Sequence, residues 1–229
     1  MQVEIWSDIM CPFCYIGKRK FETALQQFDH AEEVQLVWKS FQLDPTLKTD
    51  PDKSVLQQLA EHKHIPEEEA ATLLRQVTAM AQSEGLTFRF DRSVVANSFD
   101  AHRLIQLAKH HGRGDAAEER LFRAYFTEGA NIADRSTLVK LGEAIGLSAH
   151  EIEDVLDNGT YRQEVQRDIQ EAQQLGVRGV PFFVINRRYG ISGAQPAKVF
   201  LKALTQAHQE RAEASATSEG DACEVNGNC

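Results

Sequence analysis

The stretch SDIMCPFCYIGKRKFE, residues 7–22, decides the fold, because it places Cys11 and Cys14 near the start of the chain with two residues between them. Residues 2–7 before the cysteines alternate like a short strand. Pro12 suits the first turn of a helix, where its missing N–H costs nothing. The stretch therefore predicts a strand followed by a helix that begins at the cysteines. Three interpretations of Cys11 and Cys14 are open: a redox pair, half of a metal site, or two small buried apolar residues.

Composition and charge exclude several classes of function. The chain has 229 residues, 42% of them hydrophobic, which is enough for a core that needs no disulfides. Its 25 Lys and Arg against 34 Asp and Glu give a net charge of -9, which argues against nucleic acid or an anionic membrane as the main partner. The N-terminal MQVEIW lacks the features of a secretory signal, so we expect a cytoplasmic protein. In that compartment a Cys-x-x-Cys pair is more often catalytic or metal-binding than structural.

Helix and strand signals along the rest of the chain predict an interrupted α/β fold. Residues 34–41 alternate like a second strand, a long run of helix signals follows, and strand signals return at 180–186 and 189–192 before a last helix near Pro196. The order is β-α-β, a helical insertion, then α-β-β-α. The predicted domains are a discontinuous α/β domain over 1–45 and 160–208, an inserted all-helical domain over 46–159 and a flexible tail over 209–229.

The chemistry expected of the two cysteines follows from their position on the helix. A thiol attacks only as a thiolate, and a helix N-terminus stabilises that anion through unpaired N–H groups and the helix dipole. Cys11 holds this position, while Cys14 lies one turn later, covered by the helix and within reach of the first sulfur. We therefore expect Cys11 to attack and Cys14 to resolve the mixed disulfide. Phe13 between them carries no charge to stabilise the thiolate, so the redox potential stays open.

A proline far along the chain strengthens this interpretation. In GVRGVPFFVIN, Pro181 follows Val180 at the start of a predicted strand. The thioredoxin fold has a cis proline at this place, facing the two cysteines, although a trans proline at the start of an edge strand is the alternative. The backbone beside Pro181 would pair with an extended substrate by strand addition.

Several stretches together resemble a known family. They are SDIMCPFCYIGKRKFE, WKSFQLDP, NSFDAHRLIQLAK, LFRAYFTEGANIAD, LGEAIGL and GVRGVPFFVIN followed by YGISGAQP, within residues 3 to 204. The chain resembles the DsbA family of thioredoxin-fold oxidoreductases, in its FrnE-like branch, which is related to 2-hydroxychromene-2-carboxylate isomerases and kappa-class glutathione transferases. The resemblance implies a thioredoxin domain interrupted by a helical domain. It assigns Cys11 and Cys14 as the redox pair and Pro181 as the cis proline.

The resemblance also implies the reaction and its partners. The expected activity is thiol-disulfide exchange or isomerisation on protein or small-molecule disulfides, without a metal or organic cofactor, and with glutathione as a candidate co-substrate and a homodimer as a candidate assembly. The candidate substrate-binding residues are Pro12, Phe13, Val180, Asn97 and His102. For His102, a histidine packed where the two domains meet is the stronger alternative. His62, His64, His110 and His111 are interpreted as surface residues, since they show no metal-ligand spacing.

The C-terminal tail carries a second pair, Cys223 and Cys229, with five residues between them. This pair resembles the second redox pair of some FrnE-like proteins, and as a flexible linker the tail could reach Cys11 and Cys14. An incidental pair is the alternative.

Two other functions stay open. The first is a glutathione-dependent isomerase or transferase, although its relatives have a serine where Cys11 stands. The second is a metal-binding protein that uses all four cysteines as ligands.

Overall fold

The structure, a computed structural model, describes residues 1–221, with side chains to Arg211 and at Glu213. Within them the chain forms six strands and nine α-helices, together with a short 3₁₀-helix at Ala31–Glu33 and a π-helix at Ala124–Glu128. The strands are β1 (Gln2–Ser7), β2 (Gln35–Ser40), β3 (Asp50–Ser54), β4 (Val94–Val95), β5 (Phe182–Ile185) and β6 (Tyr189–Ser192). The helices are α1 (Pro12–Gln26), α2 (Val55–Lys63), α3 (Glu67–Ser83), α4 (Phe99–His110), α5 (Gly114–Arg123), α6 (Arg135–Ala144), α7 (Ala149–Asn158), α8 (Arg162–Gln174) and α9 (Ala197–Asp221).

A four-stranded sheet in the order β2-β1-β5-β6 forms the centre of the thioredoxin-like part. Strand β1 runs parallel to β2, with Ile5 opposite Trp38, and antiparallel to β5, with Ile5 opposite Phe183. Strand β1 is therefore a central strand, and its residues from Val3 onward are buried. Along the chain, the elements around this sheet follow the predicted order, β-α-β before the insertion and α-β-β-α after it.

Helices cover both faces of this sheet. On one face, α1 and α9 pack against β5 through Phe21, Phe183 and Phe200, whose ring centroids lie 4.6 to 5.5 Å apart. On the other face, Trp6 of β1 belongs to a second apolar cluster with Ala172, and its indole N–H donates to the Asp168 carbonyl of α8 at 2.9 Å. The end of β1, where the cysteines follow, is thereby held from both sides.

The inserted part is helical, as predicted, except for a small sheet. Strands β3 and β4 pair antiparallel, with Asp50 opposite Val95. The sequence DPDKS of β3 lacks the β-branched and aromatic residues that normally indicate a strand, so only its pairing with β4 defines it.

The C-terminal helix corrects the prediction of a flexible tail over 209–229 for its first part, residues 209–221. Helix α9 continues to Asp221, through a stretch rich in Ala, Glu, Gln and Arg, which are good helix formers. Glu210 accepts a hydrogen bond from Tyr189, and Arg211 pairs with Glu33, so both tie the helix to the body. Cys223 and Cys229 lie outside the described residues. No helix in residues 1–221 combines the length and apolarity that a membrane span requires.

Candidate active site

The two cysteines lie at the junction between β1 and α1. Cys11 is the N-cap residue of α1 and Pro12 occupies its first turn. The Cys11 N–H donates to the Asp8 carbonyl at 2.9 Å, and the Cys14 N–H donates to the Cys11 carbonyl at 3.0 Å. Both cysteines are free thiols, and they approach each other to 3.6 Å. A small movement would bring the sulfurs to the bond length of a disulfide, which is about 2.0 Å.

The loop before β5 faces the first cysteine. The Val180–Pro181 peptide bond is cis, and the Cys11 thiol donates a hydrogen bond to the Val180 carbonyl at 3.4 Å. The Pro181 ring packs on α1 at Gly17, where the absence of a side chain leaves room for it, because a Cβ on that glycine would lie only 2.9 Å from Pro181 Cγ. The predicted proline therefore lies against the helix that carries the cysteines.

The environment distinguishes the two thiols. Cys14 is 1% exposed, and burial raises the pKa of its thiol well above the ordinary value, with a further increase from the adjacent Cys11. The Asp8 backbone and the Ser7 hydroxyl oppose this increase in pKa without cancelling it. Cys11 is 3% exposed and borders the surface at Phe13. This environment holds Cys14 as a protonated thiol until Cys11 has reacted.

An apolar rim surrounds the approach to Cys11. Phe13 is 39% exposed and Leu43 is 50% exposed, and Val180 is half-buried. Leu43 is held near the cysteines because its N–H donates to Asp8 Oδ2 at 2.8 Å. Exposed apolar side chains next to a reactive group suit contact with apolar parts of a substrate.

His102 lies beneath the loop that precedes the cysteines. It is fully buried, and its Nε2 is 3.4 Å from Asp8 Oδ1. No substrate atom can contact it in this structure, so its position fits the alternative of a histidine packed between the domains. Through Asp8, whose carbonyl receives the Cys11 N–H, it supports the loop that positions Cys11.

Asn97 connects loops of its own chain. Its Nδ2 donates to the Leu47 carbonyl at 2.8 Å, and its Oδ1 accepts from the Phe99 N–H at 2.9 Å and from Gln42 Nε2 at 3.2 Å. These contacts occupy both ends of the amide. The structure thus gives Asn97 a structural role beside β3 and α4.

Two buried polar groups of the helical part were not predicted as site residues. Glu118 of α5 is 1% exposed, and burial, followed by the charges of Asp115 and Asp8, raises the pKa of its carboxyl to about 8. Burial and the Asp8 charge also raise the pKa of Tyr125. The sequence feature that could have identified Glu118 is its spacing. Glu118 precedes Leu121 by three residues, which places it on the apolar face of its helix.

A metal site at the cysteines would need more ligands than this part of the structure supplies. Tetrahedral zinc binds four, and Cys11 and Cys14 provide two. Among the side chains that the structure describes, at residues 1–211 and 213, one group of His, Cys, Asp and Glu has ligand atoms within 4.8 Å of one another: His30, Glu33 and His208, which lie elsewhere.

Comparison with known proteins decides the family. A family model described as a DsbA-like thioredoxin domain matches residues 2–205. This chain belongs to the DsbA-like thioredoxin family. Among solved structures, a probable DsbA oxidoreductase from Streptomyces coelicolor is 44% identical, with a TM-score of 0.86 over 92% of this chain and 91% of that chain. This membership confirms the resemblance found in the sequence, including the thioredoxin fold with its insertion.

Two more distant structures share the fold of this DsbA-like protein. A 2-hydroxychromene-2-carboxylate isomerase is 14% identical, with a TM-score of 0.68, over 93% of this chain and 98% of that chain. The cytosolic disulfide reductase DsbM from Pseudomonas aeruginosa is 20% identical, with a TM-score of 0.63, over 91% of this chain and 100% of that chain. At these identities the likeness establishes the fold.

Proposed function

We propose that the protein is a thiol-disulfide oxidoreductase in which Cys11 is the nucleophile and Cys14 the resolving thiol. The observation that carries the proposal is the pair itself: two free thiols 3.6 Å apart at a helix N-terminus. Cys11 occupies the N-cap position of α1, whereas burial favours the thiol form of Cys14. The two residues therefore act in sequence.

The reaction consists of two exchanges. The Cys11 thiolate attacks one sulfur of the substrate disulfide, an S–S bond to Cys11 forms, and the other substrate sulfur leaves as a thiolate that takes up a proton. Cys14 then loses its proton and attacks Cys11 Sγ, which forms the Cys11–Cys14 disulfide and releases the second substrate thiol. The substrate gains two electrons and the protein loses two. Run backward, the same steps oxidise a dithiol.

The surroundings of Cys11 favour peptide disulfides as substrates. Phe13 and Leu43 offer exposed apolar surface beside it, and Pro12 and Val180 complete the rim. We propose that an extended substrate lies along the backbone at Val180 and Pro181, with apolar side chains against Phe13.

Glutathione is the proposed small-molecule co-substrate. The structure of the cytosolic disulfide reductase DsbM with GSH shares this fold, with a TM-score of 0.64. A monothiol of this kind would attack the Cys11–Cys14 disulfide and, by a second exchange, return the protein to its dithiol form. We also propose that the protein acts in the cytoplasm, where such thiols are abundant.

The test is dithiothreitol-driven reduction of insulin by the wild type, Cys11→Ala and Cys14→Ala. We expect activity in the wild type, loss of at least 100-fold in Cys11→Ala, and a covalent adduct with an insulin chain, seen by mass spectrometry, in Cys14→Ala, since the resolving thiol is absent. An inactive wild type, or activity retained in Cys11→Ala, contradicts the proposal. Ser83→Ala, at the exposed end of α3, is the control that should keep full activity.

A further inference from the structure

An arginine without a partner lies beside the proposed active site. Arg178 belongs to the loop between α8 and β5, two residues before Val180, and its side chain is exposed. Two residue steps span at most about 7 Å of backbone. The Val180 carbonyl oxygen lies 3.4 Å from Cys11 Sγ. The long side chain of Arg178 can therefore reach a molecule whose sulfur is bound at Cys11.

The lack of a partner distinguishes Arg178 from the other arginines. Each of the others that the structure describes contacts a carboxylate, a carbonyl, a hydroxyl or an aromatic ring. Within residues 1–211 and 213, no ion pair, hydrogen bond or ring contact involves the Arg178 side chain. A guanidinium has five N–H donors in a planar fork that fits a carboxylate. These donors are available to a ligand.

The acidic side chains beside the cysteines and the apolar rim are held by groups of the protein itself. Asp8 is 1% exposed, and its carboxylate accepts the Leu43 N–H at 2.8 Å. Asp44 is half-buried, and its Oδ1 accepts the Thr46 N–H at 2.9 Å and the Thr46 hydroxyl at 2.7 Å. Neither carboxylate pairs with Arg178, so neither neutralises it.

A second cation lies near Pro181. The Lys20 ammonium of α1 donates to the Ala194 carbonyl at 3.2 Å, and among the described side chains it pairs with no carboxylate. Ala194, like Pro181, lies against Gly17. The chain as a whole has a net charge of -9, which repels anions. Arg178 and Lys20 therefore make the surroundings of Pro181 a local exception that attracts them.

We propose that Arg178 is a specificity-determining residue that binds a substrate carboxylate placed a few bonds from the disulfide, as in glutathione disulfide. The inference rests on the proposed function and names the chemical class of its substrate. In the reaction, the reduced protein forms the Cys11–Cys14 bond and passes two electrons and two protons to glutathione disulfide, which leaves as two glutathione molecules. Arg178 binds the carboxylate by paired hydrogen bonds and takes no part in the exchange of sulfur.

The proposal is tested by the rate at which two disulfides oxidise the reduced full chain. Glutathione disulfide carries carboxylates, and hydroxyethyl disulfide carries no charge. Alkylation stops the reaction, and peptide mass spectrometry gives the fraction of Cys11 still reduced. For each chain we take the ratio of the two second-order rate constants, glutathione disulfide over hydroxyethyl disulfide, so that the intrinsic reactivity of each disulfide cancels between chains.

We expect this ratio to fall about threefold to fivefold in Arg178→Ala, as is usual for the loss of an exposed ion pair. It should fall at least tenfold in Arg178→Glu, because repulsion replaces attraction. Arg178→Lys keeps the charge without the fork and should lie between the wild type and Arg178→Ala. Added salt should lower the ratio of the wild type more than that of Arg178→Ala, because salt screens exposed charges.

Arg167→Ala is the matched control, because Arg167 of α8 is 71% exposed and its loss changes the net charge equally. Its ratio should equal that of the wild type. A ratio unchanged in Arg178→Ala and Arg178→Glu, or an equal fall in Arg167→Ala, overturns this inference alone. A wild type that neither disulfide oxidises overturns the proposed function as well.

A second pair of substrates identifies the source of the carboxylate. It consists of a disulfide-linked peptide with Asp next to each Cys and the same peptide with Asn. If the preference for the Asp peptide also depends on Arg178, the residue binds acidic peptide segments as well as glutathione. If only the ratio for glutathione disulfide depends on Arg178, the small molecule is the source. Dependence in neither pair overturns the inference.

Discussion

Glu118 brings a carboxyl group into the interior of the helical part, and its pKa of about 8 makes it protonated at neutral pH. In the unfolded chain this carboxyl has a pKa near 4.5. Between these two values the folded state binds more protons than the unfolded state. The contribution of Glu118 to stability is therefore greatest below the unfolded pKa and is lost as the pH rises toward the folded one.

We expect Glu118→Gln to flatten the dependence of stability on pH. Glutamine keeps the shape without the charge. As the pH rises from 5.5 to 7.5, the free energy of unfolding of the wild type should fall by about 2 kcal/mol relative to that of the variant. Urea denaturation at the two pH values measures this relative change. A constant difference between the two chains would show that Glu118 titrates alike in the folded and unfolded states.

Glu119 provides the matched control on the next residue. Burial alone would raise the pKa of the Glu119 carboxyl, but hydrogen bonds from Arg19 and Tyr15 outweigh burial and lower this pKa. Its contribution to stability is therefore present above the unfolded pKa and is lost as the pH falls through the folded one. As the pH rises from 5.5 to 7.5, the free energy of unfolding of Glu119→Gln should therefore not increase relative to that of the wild type.

At the scale of elements, the approach of α1 to the loop before β5 depends on Gly17. A methyl group there would meet Pro181 Cγ at 2.9 Å and the Ala194 side chain at 3.5 Å. In an open helix, alanine would be more stable than glycine by roughly 0.5–1 kcal/mol. Here the added atom must instead push the helix and the loop apart, and overpacking of this kind usually costs about 1–3 kcal/mol.

We expect Gly17→Ala to lower both stability and activity. Urea denaturation should show a loss of about 1 kcal/mol or more, and insulin reduction should fall roughly tenfold because the Val180 carbonyl moves away from Cys11. Gly179→Ala is the control, since an added Cβ there has nothing within 4 Å. A Gly17→Ala chain more stable than the wild type would mean that the Pro181 ring gives way at little cost.

The elements also show what a sequence can predict. The strand, Cys-x-x-Cys helix and Val-Pro strand were predictable because each depends on local signals: alternation, a helix-start proline and a strand-start proline. Strand β3 was not, since DPDKS forms a strand only through its partner. His102 and Glu118 have contacts that are set by residues distant in the chain. Spacing places Glu118 on the apolar face of α5, but it does not indicate which groups surround the carboxyl.

At the scale of the whole molecule, the direction of α9 determines whether the tail cysteines can reach Cys11 and Cys14. Helix α9 runs in the same direction as α1, since Phe200 lies beside Phe21 and His208 beside Phe28. Its end at Asp221 is thus about 45 Å from Cys11 along the helix axes, at 1.5 Å per residue. Even a fully extended chain from Asp221 to Cys229 spans only about 27 Å.

We therefore expect the tail not to exchange electrons with Cys11 and Cys14 of its own chain. A chain truncated after Ala222 should reduce insulin at the wild-type rate, within a factor of two, at dilute protein concentration. A clear loss of rate would contradict this expectation and would require the end of α9 to unwind or two chains to meet. A loss that grows with protein concentration would identify the second case.

The central place of β1 in the sheet has a consequence for synthesis on the ribosome. The first strand to be synthesised, β1, pairs on one side with β5. The site around the cysteines that follow β1 is therefore complete only after the segment that contains β5 has been synthesised. At about 5–20 residues per second, Val180 is added roughly 8–35 s after Cys11. During that interval the thiols of a nascent chain are open to the surrounding oxidants and reductants, and only the finished chain can shelter them.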